Sequence, residues 1–438
     1  MAMNARQAAL NILDKCFSGG SLSAQLEELS RSGALKSEDC SLASNIAIGV
    51  VQNYRLLDYY ISAYSKIPPK KIHPRVRQIL RSGIYQLLFL DRIPDFAAIK
   101  ESADLCTGSI AHTRGFVNAV LRNVSANKER LPELKAGTGE QLLALKYSQP
   151  DFLVRMLAGE YGADKAERIL AANNEKPELS VFVNTLKISP EEYEERLKAS
   201  GIENVRQGIY PEGFILPSVS PAELPGYAEG LFYVQDPSAH FLSTVFRGKT
   251  DMKILDCCSA PGGKSISAAM SCGGRCRILS CDVSDKKTAL IKQNAGRLGL
   301  SCIDTEVRDA SVFAPELEKS FDAVIADVPC SGLGIIRKHP EIRLKTEESI
   351  SALPTLQDAI LANAGRYVKP GGLLIYSTCS VAPAENRERV SAFLKENKDF
   401  HPVEHEYGGL RLENGCITFL PGINEGDGFF TAVMQRNM

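Results

Sequence analysis

Two of the twelve cysteines in this chain sit in settings that could support covalent chemistry. Cys330 closes Asp327-Val328-Pro329-Cys330, and Cys379 stands in Ser377-Thr378-Cys379-Ser380. Each follows an apolar run of the kind a buried strand needs, FDAVIA and GGLLIY, and each lies in a turn containing proline or serine. A thiol attacks only as its thiolate, and a free cysteine titrates near about 8.5, so such a site must activate its sulfur. A third stretch, residues 252–265 (MKILDCCSAPGGKS), begins as a short apolar strand and turns at Pro261, Gly262 and Gly263. An Ala/Ser-rich helical pattern follows it. Backbone N–H groups at a helix start are unpaired and favour an anionic ligand group.

Three ligand classes compete for that turn. A dinucleotide fingerprint needs G-x-G-x-x-G, and this stretch offers S-A-P-G-G-K. A P-loop needs G-x-x-x-x-G-K-[ST]. Gly263-Lys264-Ser265 fits its end, but its first glycine falls at Cys258, and Pro261 removes a donor. S-adenosylmethionine is the third: its carboxylate suits the helix N-terminus, and its ribose hydroxyls suit an acid after the next strand. Asp282 stands there, with a helix N-cap as its other reading. Asp309 follows the third strand, where it could approach the adenine or simply close a loop.

A thiol beside a methyl donor points to a carbon that is a poor nucleophile alone, such as C5 of a pyrimidine. A thiolate adding to C6 makes the ring enamine-like, C5 takes the methyl, a base removes the C5 proton and the thiol leaves. Asp327 could hold a cytosine amino group or protonate N3, stabilising charge that builds in the ring. The base must be held out of its stack and away from water. These residues supply two candidate thiols and do not rank them. Cys257 and Cys281, within strands, read as inert filling.

The elements that must carry these residues are readable from periodicity. From residue 252 onward strands and helices alternate: KILDCC and a helix from about Lys264, CRILSCD (276–282) and a helix over 286–298, then the shorter strand CIDTEVRDA. FDAVIADVPC (321–330), a helix over 354–368, GGLLIYSTCS (371–380) and a helix over 385–395 follow. RLENGCITFLPG and GDGFFTAVMQR read as an antiparallel pair. This predicts a doubly wound sheet with an antiparallel edge, its active site beyond the carboxyl ends of the strands. Cys330 and Cys379 then end neighbouring strands.

Upstream, residues 4–122 read as a helical bundle, with Val76, Ile79, Leu80, Ile84, Leu87 and Leu88 forming one stripe. Residues 123–150 are polar and read as a linker, and one helical pattern runs from Gln149-Pro150-Asp151 to about Ala172. Residues 178–233 read as a small α+β module: LSVFVNTL alternates as a strand does, SPEEYEERLKASG is a capped helix, and GFILPS and GLFYVQD are strands. Such a module can offer a sheet face to single-stranded RNA or serve structure alone. Net charge is −1, but residues 1–130 carry 17 Lys/Arg against 11 Asp/Glu, and the remainder 34 against 41. A basic front suggests a polyanionic partner, with Lys70, Lys71, Arg75, Arg77 and Arg81 as candidate phosphate contacts. No apolar run is long enough to span a bilayer, the N-terminus lacks the order of a signal peptide, and Cys272-x3-Cys276 has no second pair to make a metal site.

ILDCCSAPGGKS, CDVS, the acidic loop at Asp309, DVPCSGLG, HPEIR, YSTCS followed by Glu385-Asn386, and GDGFF together resemble the RNA cytosine-5 methyltransferase family in content and order. The front, with LRSGIYQLLFLDRIP and GFVNAVLRN, is similar to the NusB-like RNA-binding domain fused to such an enzyme in the bacterial Sun/Fmu family, which acts on 16S ribosomal RNA. The resemblance implies an α/β, Rossmann-like methyltransferase domain at 241–438. Before it would come an all-α NusB-like domain at 1–125, then linker helices with a small α+β, RRM-like module at 126–240. It implies S-adenosylmethionine as cofactor, held by Cys258, Ser259, Ala260, Pro261, Gly262, Gly263 and Lys264 with Asp282, Asp309 and Asp327. It makes Cys379 the nucleophile and Cys330 the helper in product release. DNA cytosine methyltransferases use a Pro-Cys nucleophile, so the exchanged roles are the competing assignment. Cys257 stands where the family loop often has Leu or Met, a change of packing. The implied activity is methylation of C5 of a cytosine in 16S ribosomal RNA by a cytoplasmic monomer, without metal or membrane. The alternative is an RNA-binding ribosome-assembly factor with an inactive methyltransferase domain.

Overall fold

A computed structural model describes residues 3–217 and 219–438. Ser218, the last residue of the expected strand GFILPS, lies outside the described residues, as do residues 1 and 2. The chain divides into two compact units, one of residues 1–174 with 336–346 and the other of 175–335 with 347–438.

The first unit is helical: α1 (Ala5–Cys16), α2 (Leu22–Ser32), α3 (Ser37–Tyr64), α4 (Pro74–Phe89), α5 (Asp95–Asp104), α6 (Arg114–Ala126), α7 (Gly139–Lys146), α8 (Asp151–Tyr161) and α9 (Ala163–Ala172). The expected stripe on α4 is its buried face: Val76, Ile79, Leu80 and Ile84 pack with Leu10 and Leu13 of α1 and Val117 and Leu121 of α6. Two expectations fail here. The polar stretch 123–150 is not bare linker, because Thr138 caps α7 through Gln141 N and Ala144 is fully buried. The single helix to Ala172 is two, parted at Gly162, whose φ of 83° lies where a Cβ is disfavoured.

The kink of α3 explains why the linker is ordered. Helical geometry breaks at Asn53, freeing backbone groups on both sides. Ser148 Oγ accepts from Arg55 N and Leu56 N, each at 3.1 Å. The freed carbonyl of Gln52 accepts from Arg343, in the strap 336–346 that the sequence of the second unit lends to the first. Arg343 is 1% exposed and also donates to Asn174 Oδ1 at 2.9 Å and to Asn173 O at 3.2 Å, at the C-terminus of α9. Burial pushes its pKa down to about 9. Arg343→Met keeps the bulk but orphans buried carbonyls, each costing about 1–3 kcal/mol. We expect a loss of roughly 3 kcal/mol, read as a lower denaturant midpoint and faster amide exchange in α3 and α9, with Arg343→Lys restoring only part.

The basic cluster is also corrected. Arg81 is 3% exposed and grips Asp58 with two nitrogens, at 2.8 and 2.6 Å. Arg75 pairs with Asp14, and Arg77 donates to Pro69 O at 3.4 Å. Only Lys70 and Lys71 of the five stand fully exposed. Periodicity placed the arginines on α4 but could not see the acids of α1 and α3 opposite them.

The second unit opens with β1 (Leu179–Val183), α10 (Pro190–Ala199), β2 (Arg206–Gln207), β3 (Gly213–Leu216) and β4 (Phe232–Val234). They form an antiparallel sheet of order β2-β3-β1-β4. Ser189 and Glu192 make a capping box at α10, as the sequence predicts. β1 does not alternate, since four of its five residues are buried. Val181 and Val183 pack under α10 with Tyr193 and Leu197. On the other face Phe182 stacks on His240 at 3.8 Å and on Tyr233 at 5.7 Å. Both faces are therefore covered, and the option of an open sheet face for RNA is withdrawn.

A short helix, α11 (Pro237–His240), leads to the large sheet: β5 (Met252–Asp256), α12 (Gly263–Ser271), β6 (Cys276–Asp282), α13 (Asp285–Leu298), β7 (Ile303–Val307), β8 (Phe321–Asp327), α14 (Glu347–Ile350), α15 (Leu353–Tyr367), β9 (Val368–Thr378) and α16 (Arg387–Glu396). Then come β10 (Phe400–Pro402), the hairpin β11 (Glu406–Tyr407) and β12 (Leu410–Arg411), β13 (Cys416–Phe419) and β14 (Phe429–Arg436). The order is β10-β14-β9-β8-β5-β6-β7, parallel from β9 to β7 and antiparallel at β14, which also pairs with β13. Alternate strand residues face opposite layers. Ile254, Ile278 and Ile325 meet Ile266 and Ala269 of α12, while Leu255, Val324 and Leu374 meet Ile360 and Leu361 of α15. This is the doubly wound α/β sheet expected. Its strand order reverses between β5 and β8, the switch point where such sheets bind ligands.

Candidate active site

The residues singled out from sequence lie at the carboxyl ends of β5, β6, β7, β8 and β9. β5 ends in Asp256, which is fully buried and accepts from Ser265 Oγ at 2.7 Å. Burial pushes this carboxyl up to about 6, against Ser265, which works the other way. Ser265 Oγ also lies 2.9 Å from Ser259 Oγ and 2.7 Å from Ser280 Oγ, so loop, helix and β6 are tied together. The loop folds on itself through Gly262 N to Ser259 O at 2.6 Å. Ala260 N donates to Asp282 Oδ2 at 3.0 Å. The first intrahelical bond of α12 is Ile266 N to Gly262 O, so the amides of Gly263, Lys264 and Ser265 precede it as helix-start donors.

Asp282 ends β6 and is 5% exposed. Its Oδ1 accepts from Val283 N at 2.8 Å and pairs with Lys287 Nζ at 2.9 Å. Asp309 follows β7 and is exposed; its Oδ1 takes Ser311 Oγ at 2.6 Å and Ser311 N at 2.9 Å, which hold the carboxyl below its ordinary range. Among the described residues its carboxylate bonds to Ser311 and not to the loop of residues 258–263, although the neighbouring Arg308 N binds Asp282 O at 2.9 Å. Cys258 is half-buried, and Asn294 Nδ2 donates to Pro261 O at 3.0 Å. Cys281, in β6, is 1% exposed and Cys257, in the turn just past β5, is 5% exposed; burial pushes both thiols up.

Across the switch point, Asp327 Oδ2 pairs with Lys264 Nζ at 2.5 Å and its Oδ1 accepts from Ser377 Oγ at 2.8 Å. Burial opposes the Lys264 ammonium, but Asp327, with smaller help from Cys379 and Asp256, outweighs it and raises the pKa. The ammonium also lies 5.0 Å from the Phe429 ring centre. Parallel pairing of Asp327 with Ser377 sets the following turns side by side, and Cys330 Sγ and Cys379 Sγ come within 2.9 Å. A hydrogen bond to Cys379, reinforced by burial, raises the Cys330 thiol well above its usual value.

Sequence reasoning gave Glu385 no role. It is 3% exposed and accepts from Ser331 N at 2.8 Å, Gln357 Nε2 at 2.9 Å, Ser380 Oγ at 2.5 Å and Ser331 Oγ. One carboxylate thus joins the residue after Cys330 to the residue after Cys379. Asn386 adds a second tie, accepting from Thr378 Oγ1 at 2.6 Å and donating to Ser380 O at 2.8 Å. The helix expected from 385 starts at Arg387, because Glu385 belongs to a 3-10 turn that aims it inward. The signal available was an acid six residues past Cys379, behind Ala382-Pro383. The glycines of SGLG and GDGFF also gain a reason: a Cβ on Gly334 would stand 2.1 Å from Gly428 O, so the two backbones touch.

Among the described residues no group of three or more His, Cys, Asp or Glu could hold a metal, and no helix is long and apolar enough to cross a membrane. Residues 243–435 match the family model described as 16S rRNA methyltransferase RsmB/F, residues 3–126 match the NusB family, and residues 149–223 match the ferredoxin-like domain of RsmF/B-like methyltransferases. A probable ribosomal RNA small subunit methyltransferase B of Bacillus subtilis is 33% identical over 432 residues, 94% of each chain. The crystal structure of PH0851 is similar over the whole of both chains, with a TM-score of 0.78 and 25% identity. That of NSun6 from Pyrococcus horikoshii with SFG covers 66% of this chain and 98% of its own, at a TM-score of 0.59 and 21% identity, a likeness of fold. With these three segments in this order and a relative aligned nearly end to end, the chain belongs to the RsmB/F family of ribosomal RNA small-subunit methyltransferases.

Proposed function

We propose that the chain transfers a methyl group from S-adenosylmethionine to C5 of a cytosine in 16S ribosomal RNA, through a transient bond between Cys379 and C6. The observation that carries this reading is the 2.9 Å approach of Cys330 and Cys379 beside a Lys264–Asp327 pair at the switch point. The residues fit the cofactor: unpaired amides at the start of α12 suit its carboxylate, and Asp282, with lone pairs remaining, suits the ribose hydroxyls. A fold neighbour, NSun6, was solved with SFG, an S-adenosylmethionine analogue. When bound, the cofactor supplies an electrophilic methyl group.

The chain's own groups supply the rest. Cys379 is the nucleophile, with the Cys330 sulfur 2.9 Å away and the Lys264 ammonium in Coulombic reach. Addition of that thiolate to C6 pushes electrons toward C5, which takes the methyl. Asp327, oriented by Lys264 and Ser377, faces charge that develops on the ring edge. A base then takes the C5 proton, the electrons of that C–H bond re-form the C5–C6 double bond, and the C6–S bond breaks to release the Cys379 thiolate, with Cys330 beside it assisting that step.

The test is transfer of labelled methyl to 16S ribosomal RNA from a strain lacking the gene, with bisulfite mapping of the product. Label in an RNA base other than cytosine, or RNA binding without S-adenosylmethionine binding in a calorimeter, overturns the reading. The second of those outcomes would instead indicate an assembly factor. Asp282→Ala removes an acceptor for ribose and releases the loop amide of Ala260. A charged hydrogen bond is worth about 1.5–3 kcal/mol, so the dissociation constant for S-adenosylmethionine should rise about 10- to 100-fold in the same calorimeter.

A further inference from the structure

The first unit carries an open groove of about 820 Å³ between α5 and α6, apart from every residue used above. Its walls include Phe96, Ile99 and Lys100 of α5 and Arg114, Asn118 and Arg122 of α6. Phe96 is 75% exposed, an unusual place for a ring that hydrophobic burial would otherwise claim. Lys100 and Arg122 are exposed, and among the described residues neither has an ion-pair or hydrogen-bond partner. The acid in the groove is already engaged: Asp95 accepts from Ser125 Oγ at 2.7 Å and pairs with Lys128 at 3.0 Å. Arg114 pairs with Asp104 and keeps 61% of its side chain exposed.

We propose that this groove docks a short single-stranded segment of the substrate RNA, with one base stacked on Phe96 and the flanking phosphates on Lys100 and Arg122. The proposal rests on the RNA-methyltransferase reading and locates a second contact for that RNA. Aromatic platforms flanked by cations are how proteins hold unpaired nucleotides, since every base has a face to stack and every residue of the strand a phosphate. Asn118 adds an amide able to meet a base edge. A protein partner fits less well, because free lysine is depleted at the centre of protein interfaces.

The test uses the full-length protein, a fluorescein-labelled 12-nucleotide RNA without secondary structure, and 16S ribosomal RNA. Phe96→Ala should weaken binding of the oligonucleotide about tenfold, since stacking on one aromatic ring carries that order of affinity, and Phe96→Tyr should stay within about twofold. Lys100→Gln with Arg122→Gln should lower the slope of log affinity against log salt by about 1.4, near 0.7 per single-strand phosphate lost. Both variants should raise KM for 16S ribosomal RNA and leave kcat unchanged, as neither touches the cysteines. Wild-type affinity and salt slope in these variants overturn the proposal while methylation stands. Loss of binding confined to the assembled ribosomal particle would also overturn it, giving the groove to a ribosomal protein. Absence of methylation by the unaltered protein would instead be a failure of the function itself.

Discussion

Cys379→Ala should abolish methyl transfer and leave no covalent complex with RNA, whereas Cys330→Ala should trap the RNA on the protein as a band that survives denaturing electrophoresis. The two sulfurs are only 2.9 Å apart, so distance alone does not separate their roles. Their surroundings do. Cys330 is raised by its hydrogen bond to Cys379, by burial, and by the nearby Glu385 carboxylate, so it keeps its proton. Cys379 lies within the field of the Lys264 ammonium. Loss of a covalent nucleophile removes the reaction path, and on the order of 10⁴-fold or more in kcat is expected. Without Cys330 the addition still proceeds, but expulsion of the Cys379 thiolate slows and adduct accumulates. The reverse pattern, adduct with Cys379→Ala and none with Cys330→Ala, exchanges the roles and places this chain with the Pro-Cys chemistry of the DNA enzymes.

What the sequence made legible is what local pattern encodes. Apolar runs ending in Asp256, Asp282, Asp327 and Thr378 are four parallel strands of one sheet, and the turn at Pro261-Gly262-Gly263 leads into α12. The rest depends on partners distant in the chain. Arg81 read as a surface cation until Asp58, on another helix, took it inside. The small α+β module read as either an RNA-binding sheet face or a structural part, and the stacking of Phe182 on His240 decides for the second. Polar 123–150 read as slack because nothing local shows that Ser148 mends the kink at Asn53. Lys264 read as a loop end, while its pairing with Asp327 bridges β8 and the start of α12. HPEIR was visible as a motif, yet its Arg343 works in the helical unit and not beside the cysteines. Each miss is a residue whose role is set by tertiary neighbours and not by periodicity.

Glu385→Ala should cost about 10²-fold in kcat without touching either sulfur. Its carboxylate bonds to both cysteine turns, through Ser331 on one side and Ser380 on the other, and Gln357 ties it to Pro329 O at 3.0 Å. Removal takes an acceptor from Ser331 N, from the Ser331 and Ser380 hydroxyls, which keep each other at 3.1 Å, and from Gln357 Nε2, which keeps Pro329 O. Losing a shared charged acceptor, at about 1–3 kcal/mol for each bond that is not remade, leaves the turns free to shift. A displacement of about 1 Å between reacting groups is enough for a loss of about 10²-fold. The signature separates this effect from loss of either cysteine: adduct formation and adduct release should slow together, because both turns drift. Glu385→Gln keeps the shape and one acceptor oxygen but places an NH2 against existing donors, so it should recover part of kcat and none of the pairing between Ser331 and Ser380. If Glu385→Ala folds with wild-type kcat, the two turns are held by β8, β9 and the direct Ser331–Ser380 and Gly334–Cys379 bonds, and the buried carboxylate contributes to stability without positioning the sulfurs.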